Sequence, residues 1–549
     1  MKKRIRYFFL FIAGIIAGFA PVQAQQMYKF PVFEEGVYHL SQEQATKWDL
    51  GNINEIRILG HPGMLDQKID SSIFSYKEVP QKIIDNKLYF FLEGADEILT
   101  ENGSAQLISH TYTDTLYYLL QTGSPGTNPI LPAEDPEEIE SNIEATNNLY
   151  QIISHKAEED NLLSSGREWF GYRTFNGGSH IIEIAHPPTK SERDVLMWAQ
   201  TMAQSFDEST LTFATNNQVI GSVDISSIPN SRYAIKGREK SFKASFPTTE
   251  DQTLQEIVLT YSSNDANGAG YLKNILLAYP FSTSQLTAGI YYNLDRSPFQ
   301  IETALTDIWD VGNFFQVKEL NPVQILAGTV KKIAVFDQNN SVEIERPEKV
   351  KIRTELLSGA PEFIIITHDL LYNQAKRLAD FKNATGLSTE TVLITDIYDS
   401  YGYGNPDLSS IRNFLADYYH STKRLKNVLF FGKGSFDYKH KLGGRPNLVP
   451  IYSSRVSLNP LTTYGSDDYF GFLEIGEGDW LETPEGDHTL KIGIGRIPAI
   501  NSREAKIAVD KIISYQNGNR GDWKKKLLFV ADDGDNNVHL NDSEKHTAF

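Results

Sequence analysis

The stretch Glu362-Phe363-Ile364-Ile365-Ile366-Thr367 is a continuous apolar strand, and it decides the fold of the segment that follows. An amphipathic helix is predicted at 371–385, because Gly386 stands in the position that commonly ends a helix. Strands that are apolar on both faces and alternate with helices predict a mostly parallel sheet covered on both sides. The remaining predicted elements are strands at 391–394, 427–431, 490–495 and 526–530, and helices at 408–419 and 502–515.

The residues before this segment are typical of short strands separated by turns. We predict a small β domain over 25–122, followed by a linker at 123–164 whose polar part is partly helical. Closely spaced strands then predict a β-sandwich-like domain over 165–350. The fold class is therefore multidomain, with N-terminal all-β domains followed by an α/β domain over 355–549.

The first 24 residues have the three parts of a secretory signal peptide. The chain opens on basic residues, continues with a thirteen-residue apolar run at 8–20, and offers small residues at Val22-Gln23-Ala24. The run is shorter than the roughly 20 apolar residues that span a membrane. We expect an exported protein whose mature chain begins near Gln25, and the alternative is an N-terminal anchor that stays attached.

Composition restricts the function further. With 40% hydrophobic residues, the chain is expected to be globular. Its formal net charge of −18 argues against nucleic acid as a partner, because that binding needs basic patches. The absence of cysteine excludes disulfides, a thiol nucleophile and cysteine-bound zinc within these residues.

Ligands of an open α/β sheet bind beyond the carboxyl ends of its strands. The loops predicted there carry distinctive residues at 432–437, 464–471 and 531–535. None of them has the spacing of a phosphate-binding loop, and the sequence has no Gly-x-Ser-x-Gly or His-Glu-x-x-His motif. A serine hydrolase and a zinc peptidase are therefore poorly supported.

Calcium is the one cofactor that the acidic residues suggest. The run 533–537, with Glu544 eleven positions after its start, partly fits a calcium loop, but Val538 stands where that loop needs glycine. A looser site could use these acids or those around Asp467 and Glu477. The alternative is a solvated turn without metal.

Several motifs in the α/β segment together resemble a known family. In order and spacing they are similar to gingipain-type cysteine peptidases, which have a caspase-like α/β fold. The motifs are Gly465–Gly471, Ile492–Pro498, the helix from Asn501 to Tyr515, Trp523 and Leu527–Asp533. Three further stretches resemble the type IX secretion system sortases of the PorU type, namely Val37–Leu40, Arg167–Gly171 and Ile308–Val311.

The resemblance implies a transpeptidase attached to the outer membrane at the cell surface. Such an enzyme removes C-terminal signal domains from secreted cargo and attaches the cargo to anionic lipopolysaccharide, in contact with an outer-membrane β-barrel partner. A cysteine thiolate attacks the peptide carbonyl, a histidine moves the proton, and an acidic residue orients the histidine.

Motif matching to the family assigns four residues of this chain. Asp533 falls at the acidic position that orients the catalytic histidine, and Glu544 falls near the substrate pocket unless it is an ordinary surface acid. Asp467 and Asp468 are expected to line the substrate groove, to bind calcium, or to cap their loop.

The family's catalytic cysteine and histidine find no counterpart here. We therefore expect a truncated sequence of a longer protein, inactive by itself. Two alternatives stay open: a non-enzymatic surface binding protein with a degenerate peptidase-like scaffold, and a secreted gingipain-like protease with its propeptide.

Overall fold

The computed structural model describes residues 25–133, 148–188, 193–249, 252–284, 286–301, 305, 307–321, 328–444, 447–480, 482, 488–518 and 521–548. The predicted signal peptide at 1–24 lies outside these residues. Within the described ranges, no helix combines the length and apolar character needed to cross a bilayer.

The chain up to residue 350 is built almost entirely of strands. The N-terminal part contains β1 (Met27–Val32), β2 (Gly36–Ser41), α1 (Gln42–Lys47), β3 (Ile56–Leu59), β4 (Gln81–Ile84), β5 (Lys87–Leu92), β6 (Asp96–Glu101), β7 (Ser104–Ser109), β8 (Leu116–Thr122) and β9 (Leu131–Pro132). The next strands are β10 (Asn148–Lys156), β11 (Gly171–Phe175), β12 (Ser179–Ala185), β13 (Val195–Gln204), β14 (Ser209–Thr215), β15 (Gln218–Ile225), β16 (Arg238–Phe246), β17 (Leu254–Ser263) and β18 (Ala269–Ser282). The last are β19 (Gly289–Tyr292), β20 (Asp307–Asp310), β21 (Lys318–Glu319), β22 (Lys332–Phe336), β23 (Val342–Glu343) and β24 (Glu348–Val350).

Two β units share this region. In the N-terminal β unit, the sheets β24-β1-β8-β3 and β23-β2-β5-β4 pack against one apolar core. In the sandwich unit, a ten-stranded sheet packs against the sheet β12-β17-β14-β15. β22 joins the two units, because Ala334 and Phe336 enter the first core whereas Ile333 and Val335 enter the second. Alternation of side chains along a strand explains this double burial.

The linker predicted at 123–164 is wrong at 148–156. Residues 148–156 form β10, which lies between β18 and β19 in the ten-stranded sheet. Leu149, Tyr150 and Ile152 are buried there, so pairing with a strand more than a hundred residues away overrides the polar local composition. The rest of the predicted helical segment, 137–147, lies outside the described residues.

The α/β unit confirms the predicted parallel sheet. Its order is β26-β25-β27-β30, and all neighbours run parallel. Ile364 and Ile366 face α3 and α4, while Ile365 faces α2 and α5, so helices cover both faces. The elements are β25 (Phe363–Thr367), α2 (Tyr372–Ala384), β26 (Thr389–Leu393), α3 (Ile394–Tyr401), α4 (Leu408–Thr422), β27 (Asn427–Phe431), β28 (Tyr452–Ser453), β29 (Gly465–Ser466), β30 (Gly493–Ile497), α5 (Ser502–Asn517) and α6 (Gly534–Thr547).

The helix ends follow the capping residues read from the sequence. Gly386 has a φ of +92° just after α2, which is the left-handed conformation that glycine adopts without a steric penalty. Asn501 caps α5 by accepting a hydrogen bond from the Glu504 N–H (2.9 Å), while the Glu504 carboxylate accepts one from the Ile500 N–H (3.1 Å). Both helices therefore begin or end where their sequence predicts.

The strand predicted at 526–530 is wrong. These residues have irregular backbone, and Leu527, Leu528 and Val530 are 85%, 89% and 86% exposed. A strand needs a neighbour to satisfy its N–H and C=O groups, and no described strand pairs with this segment.

The helix that follows, α6, spans Gly534–Thr547, and residues 535–537 within it have positive φ angles.

Candidate active site

A cavity of about 410 Å³ lies at the carboxyl ends of β25, β26 and β27. This is the edge of a parallel sheet at which ligands bind. The loops after β25 and β27, the start of α3 after β26 and one segment of the N-terminal β unit contribute to its walls. Among its lining residues are His368, Ile394, Thr395, Tyr398, Tyr438, Lys439, His440, Tyr112, Thr113 and Asp114.

His368 directly follows β25 and is fixed by the turn that it caps. Its Nδ1 accepts a hydrogen bond from the Leu370 N–H (3.1 Å). A neutral imidazole that accepts at Nδ1 carries its proton on Nε2. Beside it, the Thr367 hydroxyl donates to the Phe431 carbonyl (2.8 Å), which joins the ends of β25 and β27.

The loop after β27 forms a stiff second wall. The Asp437 carboxylate accepts hydrogen bonds from the Lys441 N–H (2.8 Å) and the Leu442 N–H (2.9 Å). This turn holds His440 at a φ of +57°, a conformation that costs a non-glycine residue about 1 kcal/mol or more. The Tyr438 hydroxyl donates to the Ile451 carbonyl (2.6 Å), and burial raises the pKa of Tyr438, so the phenol stays neutral.

The third wall comes from the N-terminal β unit, far away in sequence. Tyr112 is buried and meets Tyr438 edge to face, with ring centroids 4.9 Å apart. The Asp114 carboxylate pairs with Lys156 (2.8 Å), Lys439 (2.8 Å) and Lys441 (3.2 Å). Partial burial would raise the pKa of Asp114, but the hydrogen bonds from lysine outweigh it and lower that pKa well below its ordinary value. The carboxylate therefore stays charged and ties the N-terminal β unit to both the sandwich unit and the α/β unit.

The chemistry available in this cavity is hydrogen bonding by neutral rings beside one anchored cation. His368 and Tyr438 offer polar groups, burial raises the pKa of Tyr398, and Lys439 supplies a positive charge that Asp114 and Glu158 hold in place. Such groups can bind and orient a peptide. The sequence contains no cysteine, so a thiol nucleophile cannot come from these 549 residues.

The four residues assigned from motifs do not line this cavity. The Asp467 carboxylate binds Arg496 through two hydrogen bonds, from Nε (2.8 Å) and Nη2 (2.6 Å). Asp468 is exposed in the short 3₁₀ helix that follows. Asp533 precedes α6 and Glu544 lies on it, and both are exposed. The catalytic and substrate-binding roles of these four residues stay predictions.

Arg496 explains why Asp467 is held so firmly. Its guanidinium also donates to the carbonyls of Gly432 (2.8 Å), Val449 (2.6 Å) and Pro450 (3.0 Å). This pair fastens the loop after β27 to the end of β30, whereas the Asp467 side chain makes no capping hydrogen bond to the 3₁₀ helix that follows it. Among the residues described, no group of three or more His, Asp or Glu side chains is arranged to hold a metal ion.

Sequence reasoning missed the cavity residues. His368 had one usable signal, since it stands immediately after an apolar strand at the edge where ligands bind. Tyr112 and Asp114 had none, because they reach the cavity only through the packing of a separate unit.

Comparison with known proteins agrees with the fold. Residues 357–548 match the sequence profile of peptidase family C25. The chain is similar to the crystal structure of dimeric latent PorU from Porphyromonas gingivalis, with a TM-score of 0.76 at 18% sequence identity. The match covers 94% of this chain and 52% of that one, so the chain spans about half the length of PorU. The resemblance to gingipain-type peptidases and the multidomain fold class are thereby confirmed.

Other matches are confined to parts of the chain. A carbohydrate-binding module of family 36 in complex with calcium and xylotriose covers 25% of this chain and 93% of its own, at 10% identity and a TM-score of 0.15. A carbohydrate-binding module from a Cellvibrio mixtus lichenase covers 23% of this chain and 96% of its own, at 13% identity and a TM-score of 0.15. These scores are too low to support an argument. No protein with a curated description matched the chain.

Proposed function

We propose that this chain is the N-terminal portion of a PorU-type cysteine peptidase that acts as a sortase of the type IX secretion system. The observation that carries the proposal is the likeness to PorU over 94% of the chain, with the C25 match located on the α/β unit that bears the cavity. In this proposal the enzyme removes C-terminal signal domains from secreted cargo and transfers the cargo to anionic lipopolysaccharide.

The proposed reaction has two covalent steps. A thiolate attacks the carbonyl carbon of the scissile bond, forming a thioester while a histidine protonates the departing amine of the signal domain. An amine of the lipopolysaccharide then attacks the thioester and releases the thiol, with its proton passing back through the histidine. The thiol and the histidine would come from the remainder of a longer protein. Asp533 would orient that histidine, and Asp467, Asp468 and Glu544 would contribute to substrate binding.

The cavity residues described here would position the substrate. An extended peptide lying across the carboxyl edge of the sheet would meet the ring of His368 on one side and Lys439 on the other. Tyr112 and Tyr438 would close one end of this groove, since their rings are in contact. In this proposal, the N-terminal β unit takes part in substrate selection.

The way the units interlock favours a permanent β unit over a removable propeptide. β1 pairs with β24, so the first strand and the residues just before the α/β unit share one sheet. Asp407, only 1% exposed, accepts a hydrogen bond from the Leu65 N–H (2.9 Å). Arg412 is fully buried and donates to the carbonyl oxygen of Gln67. Removing the N-terminal β unit would take these partners away from two buried charged groups, although Asp407 would keep the Ser409 N–H and Arg412 would keep the Asn413 side chain. This loss counts against a protease that sheds its propeptide.

The location and partners belong to the same proposal. The signal peptide predicted at 1–24 supports export, and the PorU likeness supports attachment at the cell surface beside an outer-membrane β-barrel protein. Calcium stays a candidate ligand of the acidic residues named from the sequence.

The test uses the product of the whole gene, purified and incubated with a cargo protein that carries its C-terminal signal domain and with an amine acceptor. We expect cleavage at the junction, a new amide bond to the acceptor in the mass spectrum, and loss of both after alkylation of thiols. A cargo without the signal domain is the control and is expected to stay intact. An inert gene product would favour the non-enzymatic binding protein, and cleavage of the control would favour a general protease.

A further inference from the structure

A second cavity, of about 490 Å³, lies where the N-terminal β unit, the sandwich unit and the α/β unit meet. Its volume is in the range of small-molecule sites, which run from about 300 to 1,000 Å³. Its apolar lining includes Met64, Leu65 and Leu107 from the N-terminal β unit and Trp169 from the sandwich unit. It is separate from the candidate active site, although Tyr112, Tyr438 and Lys439 line both cavities.

One charged group in this cavity lacks a full set of partners. The side chain of Arg167 is only 9% exposed, and its Nε is buried without a hydrogen-bond acceptor. Its Nη2 donates to the Tyr452 hydroxyl (3.1 Å) and reaches Glu482 only at 3.5 Å. The Glu482 carboxylate also accepts hydrogen bonds from the Tyr452 hydroxyl and from the Arg455 N–H (3.1 Å), so Arg167 shares this acceptor with two other donors.

The acidic groups around the cavity are already engaged. Glu158, Glu168 and Asp407 are the acidic side chains in the described lining. Glu158 accepts a hydrogen bond from Lys439 Nζ (3.1 Å). Glu168 accepts one from the Ser457 N–H (2.9 Å), and Asp407 accepts one from the Leu65 N–H (2.9 Å). Among the charged groups of the described lining, Arg167 is therefore the one with a buried N–H, at Nε, that has no acceptor.

We propose that this interdomain cavity binds a carboxylate ligand with an apolar body, and that Arg167 holds the carboxylate. A guanidinium presents its N–H groups in a planar fork that matches a carboxylate, and such charge-assisted bonds strengthen where water is excluded. The apolar part of the ligand would lie against Met64, Leu65 and Trp169. The carboxylate could belong to a free organic acid, to the C-terminus of a peptide or to an acidic side chain. The site does not depend on the peptidase reaction.

Binding to the intact chain tests the proposal directly. Titration calorimetry with 3-phenylpropionate is expected to show binding, and the neutral amide of the same acid is expected to bind about tenfold or more weakly because it loses a charge-assisted hydrogen bond. N-acetylphenylalanine and the amide of N-acetylglutamate then separate a C-terminal carboxylate from a side-chain carboxylate.

Variants place the ligand in the cavity. Arg167→Met keeps the length of the side chain and is expected to weaken 3-phenylpropionate about tenfold, while Arg167→Lys falls between. Arg232→Met, at an exposed arginine of the sandwich unit, is the matched control and is expected to change nothing. Ser109→Phe adds bulk at a second lining residue, on β7 of the N-terminal β unit, and decides the matter if Arg167→Met does not fold. Absence of binding, equal binding of acid and amide, or unchanged affinity in a folded Arg167→Met or in Ser109→Phe would overturn the proposal.

Discussion

Asp467→Asn is predicted to loosen the edge of the parallel sheet that carries the candidate active site. The side chains of Asp467 and Arg496 are 15% and 12% exposed, so the substitution leaves a largely buried guanidinium without its counterion. Breaking a fully buried ion pair costs about 3–5 kcal/mol. Three backbone carbonyls still accept from Arg496, and the new amide oxygen can accept one bond, so we expect about 2–3 kcal/mol.

Native-state hydrogen exchange measures this cost locally, which suits a multidomain protein that does not unfold in one step. The reporter is the Gly432 amide, which donates to the Ile497 carbonyl (2.9 Å) between β27 and β30. A loss of about 2 kcal/mol speeds its exchange about 30-fold. Asp468→Asn, one residue along but exposed, is the control and is expected to cost no more than about 0.5 kcal/mol. Equal effects of the two substitutions would refute the reasoning. The reasoning would also be refuted if a chelator raised the exchange rate of the unmodified protein to that of Asp467→Asn, because the carboxylate would then act through a bound cation.

Three further predictions concern charged groups between the units. Burial lowers the pKa of His110 to about 3, so below pH 6.5 the unfolded chain binds a proton at this residue that the folded chain does not bind. As the pH falls towards 3, the free energy of unfolding should therefore drop by up to about 1.4 kcal/mol per pH unit. Thermal melts of His110→Asn across this range should lack this pH-dependent loss. Burial raises the pKa of Asp407, whose carboxylate lies 4.0 Å from His110 Nε2, and this acts in the opposite sense. Arg412→Met takes a buried guanidinium donor away from the backbone carbonyls of Asp66 and Gln67 and should cost about 2–4 kcal/mol, seen as faster exchange and proteolysis at 61–77. Asp114→Asn should cost about 1 kcal/mol or less in dilute buffer, since the carboxylate is half exposed, and the difference should vanish in 1 M salt.

The parallel sheet was predictable because its signal is local and strong. Ile364, Ile365 and Ile366 are apolar on both faces of one strand, and only a sheet covered by helices on both sides buries them all. The helix ends were predictable for the same reason, since Gly386 and Asn501 act within a few residues of themselves.

The elements that sequence reasoning got wrong depend on distant partners. Residues 148–156 form a strand because β18 offers a nine-residue ladder, whereas 526–530 looks like a strand but has no described neighbour to pair with. The candidate site depends on both kinds of information. His368 follows a recognisable strand, but Tyr112 and Asp114 join it only because a β unit packs over the sheet edge. Local sequence patterns cannot predict a cavity wall that a separate unit contributes.

Photo-crosslinking tests most directly whether the substrate lies at the carboxyl edge of the parallel sheet. A peptide spanning the cargo junction, with a benzophenone at the scissile position, is irradiated with the whole gene product and the attachment sites are read by mass spectrometry. Attachment is predicted at 394–398, 438–440 and 112–114, and excess unlabelled peptide should compete it away. Competed attachment confined to other surfaces of the protein would contradict the account.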